Sequence, residues 1–214
     1  MQKHHIQVQR TARYFTLGTL NEETTDIWFV LHGYGQSAEY FIQKFNTLNN
    51  GKTFIVAPEA LSRFYLKGFS GRVGATWMTR EERETEIQDY INYLNTLYDA
   101  IIDNEAKKTL KINVLGFSQG TATASRWVMN QHLKYDRLVL WAGYFGNGIR
   151  DIIDPQKLIG KEVFLCYGKA DEFLQQIDVS QYEQDIKQAI PHLQIFTFEG
   201  GHTIDETLLG KIFK

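Results

Sequence analysis

At 214 residues the chain is long enough for one large domain with a full core and short for two. Its 43% hydrophobic and 22% charged residues are those of an ordinary soluble globule. A net charge of −2 without any Lys/Arg run gives no footprint for nucleic acid, and the one cysteine rules out an internal disulfide framework.

The start, MQKHHIQVQR, lacks the apolar core of a signal peptide, and no apolar run reaches membrane-spanning length. A cytoplasmic protein without stable membrane insertion is therefore expected. No repeat, low-complexity tract or Ser/Pro-rich linker interrupts residues 1–214, so a single domain is expected. Loose alternation over HIQVQRTARYFTLG reads as two short strands, an edge hairpin. The run 26-DIWFVLHGYGQ-36 is apolar on both faces until its glycine turn, as in a central strand of a covered parallel sheet. A helix over 37–46 follows with Ser37 as N-cap, then a strand over 53–59.

Residues 60–78 are rich in Gly, Ser and aromatics and have no clear period, which reads as a long functional loop. A helix starts at Thr79, with Thr79 and Glu82 as a capping-box pair. Along it, Ile87, Ile91, Leu94, Tyr98 and Ile101 form one apolar stripe. The remaining order is strand 110–117, helix 119–131, strand 137–145, a loop over 146–160, strand 162–167, helix 180–190, strand 193–198 and helix 203–213. Such alternation predicts an α/β fold with a mostly parallel sheet covered on both faces. Ligands of these sheets bind beyond the carboxyl ends of the strands.

One stretch at such an end carries chemistry. Gly116-Phe117-Ser118-Gln119-Gly120 follows a strand and opens a helix, the setting of a nucleophile elbow. A turn that tight strains the serine and crowds strand against helix, and glycines on either side remove the colliding side chains. Ser118 becomes a nucleophile only if a base takes its proton. Of the six histidines, His202 lies just past the last strand, behind Gly200 and Gly201. His4 and His5 precede the core, His32 sits at the first glycine turn, and His132 and His192 read as solvated. The carboxylate that orients the base is expected at Asp171, after a buried strand and the Gly168 turn. Glu172 competes by adjacency, whereas Asp154 and Asp178 have no strand before them. Backbone N–H groups of Tyr34, between Gly33 and Gly35, and of Gln119 are the expected oxyanion donors.

These residues in this order resemble the carboxylesterase/phospholipase family of α/β-hydrolases, which includes acyl-protein thioesterases and small serine esterases. The likeness rests on LHGYG (31–35), VAP (56–58), VLGFSQG (114–120), CYGKADEFL (166–174) and Gly201-His202. It implies Ser118 as nucleophile, His202 as base, Asp171 as its orienter, and oxyanion amides at Tyr34 and Gln119. It implies no metal and no organic cofactor. Two departures border the substrate site: Asp-Glu-Phe-Leu replaces an Asp-Val-Pro loop, and Gln36 stands where an aspartate is common. The expected activity is hydrolysis of small carboxylic esters or thioesters. Lysophospholipase or peptidase action on the same triad, and a non-catalytic binding protein of the same fold, are the rivals. Phe64, Tyr65, Trp77, Tyr144 and Phe173 are candidates for an acyl pocket, and some of them belong to the core. Cys166, inside an apolar strand, reads as structural.

Overall fold

The computed structural model of the protein describes residues 1–102, 110–145, 148–149 and 152–213. Seven strands form the main sheet: β1 (Tyr14–Leu17), β2 (Asp26–Leu31), β3 (Thr53–Pro58), β6 (Lys111–Phe117), β7 (Arg137–Trp141), β8 (Glu162–Gly168) and β9 (Gln194–Phe198). Their spatial order is β1-β3-β2-β6-β7-β8-β9, all parallel except β1, which runs against β3. The two remaining strands, β4 (Ser62–Tyr65) and β5 (Val73–Thr76), pair as a separate hairpin.

Every residue of β3 and all but the first of β2 and β6 are buried, because helices cover both faces of the sheet. One layer holds α2 (Arg83–Ile101), α3 (Gln119–Met129) and α4 (Val179–Ala189), packed on Phe29, Val114, Leu140 and Leu165. The other holds α1 (Ala38–Phe41), the 3₁₀ turn Ile42–Leu48 that continues it, and α5 (Glu206–Phe213), packed on Trp28, Val30, Leu115 and Trp141. This is the α/β-hydrolase architecture. From β2 the chain moves outward to β3, which lies between β2 and β1, then returns to β6 on the other side of β2. The crevice between β2 and β6 is therefore the point where strand order reverses and a ligand can sit.

Four local expectations are corrected. The first is the N-terminal hairpin: only β1 forms, while the residues before it lie along the surface, with His5 on Glu82 and Arg13 on Glu59. The second is the 60–78 loop, which contains the β4–β5 hairpin. Third, Ser37 precedes α1 but makes no side-chain cap; the buried Glu59 carboxylate accepts from Ala38 N–H at 3.2 Å instead. Fourth, α2 begins at Arg83, because Glu82 adopts a left-handed conformation (φ 54°), and Thr79 pairs with Glu86 rather than Glu82. In the expected 146–160 loop, Pro155–Leu158 form a 3₁₀ turn capped by Asp154, while residues 146, 147, 150 and 151 lie outside the described residues. Asp178 caps α4. No helix among the described residues is long and apolar enough to cross a membrane.

The carboxyl ends of β8 and β9 are drawn together by a backbone contact. A methyl group on Gly168 would lie 2.2 Å from the Gly200 carbonyl oxygen and 2.6 Å from that of Gly201. Ala170 N–H donates to the same Gly200 oxygen at 2.9 Å. Gly168→Ala is therefore expected to cost about 1–3 kcal/mol through forced separation of the two loops, read as roughly 2–4 °C of Tm per kcal/mol in a domain of this size. Gly201→Ala is the control, since its nearest non-local neighbour is at an ordinary 3.7 Å. Equal thermal melts for the two variants would refute this account.

Candidate active site

At the end of β6 the backbone turns into α3 with no room to spare. A methyl on Gly116 would meet the Gly120 carbonyl oxygen at 2.1 Å, and one on Gly120 would meet the Leu31 carbonyl oxygen at 2.3 Å. Between them Ser118 sits at φ 53°, ψ −118°, outside the ordinary regions for a side-chain-bearing residue. Such a conformation costs on the order of 1–3 kcal/mol and persists only where the surroundings over-determine it. Here Ser118 N–H donates to Trp141 O at 2.9 Å, while Ser118 O accepts from Thr121 N–H and Oγ1–H. Gln119 is the first residue of α3, so its N–H is one of the donors that a helix leaves without an intrahelical partner.

The loops after β8 and β9 bring an acid and a base together. Asp171 is fully buried, and both its carboxylate oxygens are engaged: Oδ2 lies 2.7 Å from His202 Nδ1, and Oδ1 accepts from Phe173 N–H at 2.9 Å. With Nδ1–H committed to the carboxylate, neutral His202 has Nε2 as its free basic nitrogen. Its ring lies 4.9 Å from that of Phe117, the neighbour of Ser118, and 4.7 Å from Phe173 on the other side. Trp141 Nε1–H donates to Thr203 O at 2.9 Å and holds the segment directly after the histidine. Glu172, the rival acid, is exposed.

The glycine turn after β2 packs against the elbow, for a methyl on Gly33 would lie 3.1 Å from Ser118 Cβ. Its peptide groups are almost fully accounted for. The His32 carbonyl accepts from Trp77 Nε1–H at 2.8 Å, and Gly33 N–H donates to Gln36 Oε1 at 2.8 Å. Gly33 O is bonded by His32 Nδ1 at 2.7 Å and by Gln36 N–H at 3.3 Å. In a trans peptide the N–H points opposite to the C=O, so Tyr34 N–H faces away from these partners and has none among the described residues.

His32, set aside in the sequence, is therefore a buried structural part of this turn. Ala60 N–H donates to its Nε2 at 3.1 Å, which fixes the proton on Nδ1. The Gln119 side chain was also unforeseen. It binds Thr76 Oγ1 (2.9 Å) and Met78 O (3.0 Å) through Nε2, and accepts from Trp77 N–H (3.1 Å), tying α3 to the end of β5.

The aromatic candidates separate. Trp77 is 3% exposed and belongs to the core beneath the glycine turn. Phe64 stacks on Tyr34 with ring centroids 5.2 Å apart, while its neighbour Tyr65 points outward. Phe173 and Tyr144 are about half exposed, the first against His202 and the second against Tyr182. Cys166 is buried in β8, where burial pushes its thiol pKa up and keeps it protonated. Among the described residues no group of three or more His, Cys, Asp or Glu converges as metal ligands would.

Comparison with known proteins decides the family. The phospholipase/carboxylesterase family model matches residues 19–214. The chain belongs to that family. Among solved structures, acyl-protein thioesterase 2 of Zea mays is similar at 17% identity, covering 94% of this chain and 96% of its own, with a TM-score of 0.68. A phospholipase/carboxylesterase from Dyadobacter fermentans is 18% identical (96% and 98% covered, TM-score 0.63). The Bacillus cereus carboxylesterase is 14% identical (94% and 91% covered, TM-score 0.63). At such identities these likenesses establish the shared fold. No curated protein matches the chain.

Burial lowers the His32 pKa below its ordinary value, the bond to Gly33 opposing this only in part. Below about pH 6.5 the unfolded chain binds a proton at His32 that the folded protein refuses. That contribution to stability is therefore complete above about pH 6.5 and is lost as the pH falls below it. His32→Gln should flatten the decline of Tm between roughly pH 7 and pH 5 relative to the native chain. An unchanged slope in that window would mean that His32 is not held neutral.

Proposed function

We propose that the protein is a serine hydrolase that cleaves carboxylic esters or thioesters through an acyl-enzyme on Ser118. The observation that carries this reading is the His202–Asp171 pair at 2.7 Å, its acid fully buried and its ring against the residue preceding a strained serine. Family membership agrees with it. His202 Nε2 takes the proton of Ser118 Oγ as the oxygen attacks the acyl carbon. Asp171 holds the Nδ1–H tautomer and stabilises the imidazolium that forms. The negative charge on the carbonyl oxygen develops opposite the N–H groups of Tyr34 and Gln119. Collapse of the intermediate expels the alcohol or thiol, to which His202 returns the proton, and water then releases the acid by the same steps. None of these steps requires a cofactor.

The substrate is a small-molecule acyl ester or thioester. The half-exposed rings of Tyr34, Tyr144 and Phe173 offer apolar surface for its acyl part. A panel of acyl esters and thioesters, with a fluorophosphonate label, tests the activity directly. Ser118→Ala should abolish both hydrolysis and labelling while leaving Tm close to that of the native chain. A variant that kept most of its activity would remove Ser118 from the mechanism.

The acid is assigned by comparing two neighbours. Asp171→Asn should lower kcat by a few orders of magnitude with a smaller change in KM, the corresponding change in a serine protease costing about 10⁴-fold. Glu172→Gln, at an exposed carboxylate, should alter the rate only several-fold. A larger loss in Glu172→Gln than in Asp171→Asn would reverse the assignment.

A further inference from the structure

We propose that Gln36 is the positioning residue of the oxyanion hole: it locks the Gly33–Tyr34 peptide so that an N–H, and not a carbonyl, is presented beside Ser118. The proposal rests on the reading of Ser118 as nucleophile and adds a residue to which that reading gives no role.

A hole built from a peptide next to glycine has a specific weakness. Rotation of the whole peptide plane, which glycine resists little, exchanges the N–H for the C=O. The site would then oppose an oxyanion with a carbonyl oxygen. Whatever grips the opposite atoms of the same turn prevents this. Gln36 grips two of them. Its backbone N–H reaches Gly33 O, within the Gly33–Tyr34 peptide, at 3.3 Å. Its side-chain Oε1 holds Gly33 N–H, of the preceding peptide, at 2.8 Å, so the glycine is fixed on both sides. The assignment of oxygen to that side-chain position is forced, since a backbone N–H needs an acceptor.

Gln36 is itself a fixed bracket. Its carbonyl accepts from Ala75 N–H at 3.0 Å, and Gly35 N–H donates to Ala75 O at 2.8 Å, so the turn is stitched to β5. Trp77 Nε1–H holds the His32 carbonyl, and His32 Nδ1 shares Gly33 O with Gln36. The side chain is also close to the chemistry, for a methyl on Gly33 would touch both Ser118 Cβ, at 3.1 Å, and Gln36 Oε1, at 3.2 Å. There an amide has an advantage over a carboxylate of the same reach. It accepts the hydrogen bond without placing a negative charge where another is about to develop.

The test compares the native chain with Gln36→Met, which keeps the length and loses the acceptor, and Gln36→Glu, which keeps the acceptor and adds charge. Rates on a soluble ester are read with the inhibition constant of a trifluoromethyl ketone, whose hemiketal adduct with serine carries the oxyanion. Gln36→Met should lose about 10- to 100-fold in kcat, less than the 10²–10³ for deleting a donor outright. KM should change by less than twofold, and the ketone should weaken by the same factor as kcat. Gln36→Glu should fall between the native chain and Gln36→Met. Fluorophosphonate should still label every variant to completion. If Gln36→Met does not fold, Gln36→Asn replaces it, being polar but too short to reach Gly33 N–H. Undiminished kcat, or a loss of kcat with the ketone binding unchanged, would overturn the role of Gln36 and leave the nucleophile standing. A native chain that neither hydrolyses esters nor takes the label would instead remove the underlying reading, and this proposal with it.

Discussion

Strand β6 and helix α3 approach so closely that no side chain fits between them, and the site depends on that contact. The Gly120 carbonyl stands where a side chain on Gly116 would begin, and Leu31 O stands where one on Gly120 would begin. Three segments, the ends of β2 and β6 and the start of α3, are thereby brought to backbone contact. Ser118 is left at φ 53° and ψ −118°, a positive-φ conformation that no relaxed turn would choose for a side-chain-bearing residue. Relieving the strain would require α3 to move away from the sheet. The helix cannot do so without uncovering Trp127, Ala124 and Val128, all buried in the larger core cluster. Packing over the whole layer thus holds one strained residue.

Around that residue the polar groups are arranged so that the buried ones are spent on one another. Asp171 uses both oxygens, His32 both nitrogens and Gln119 both ends of its amide. Groups saturated in this way have one stable orientation, because any rotation leaves a buried donor or acceptor without a partner. Beside Ser118, two backbone donors stay unspent among the described residues, the N–H groups of Tyr34 and Gln119. A site whose dipoles are already oriented need not reorganise when charge appears in it.

Much of this was legible in the sequence, for reasons that differ by residue. The elbow could be read because its steric demand falls on two glycines four apart, a local pattern. Asp171 and His202 could be read because buried strands announce their ends, and in an α/β sheet those ends converge. The β4–β5 hairpin could not. β4 alternates only between half-buried and exposed residues, β5 is four residues long with a glycine in it, and Gly- and Ser-rich chain separates them, so neither period nor composition marked them. The start of α2 shifted because Glu82 takes a left-handed turn that its residue type does not signal. Gln36 and His32 act largely through bonds to the backbone of their own turn, and the Gln119 side chain through bonds to the end of β5. Such bonds leave no spacing or periodicity behind. Trp77 looked like a wall of the pocket because an aromatic residue reads alike in a core and in a cleft.

The contact between Gly168 and the Gly200–Gly201 segment bears on how the molecule comes into being. Asp171 and His202 are 31 residues apart, and the indole bonds of Trp77 and Trp141 that brace the site span 45 and 62 residues. No short segment of the chain contains the site, whose residues run from His32 to Thr203. β9 is an edge strand, and His202 takes its place only when β9 has docked on β8. Loops of such length are closed late and slowly compared with local structure. The His202–Asp171 pair therefore forms only once the far edge of the sheet has closed. Recovery of activity during refolding would require β9 docked on β8, a step that helix content alone does not report.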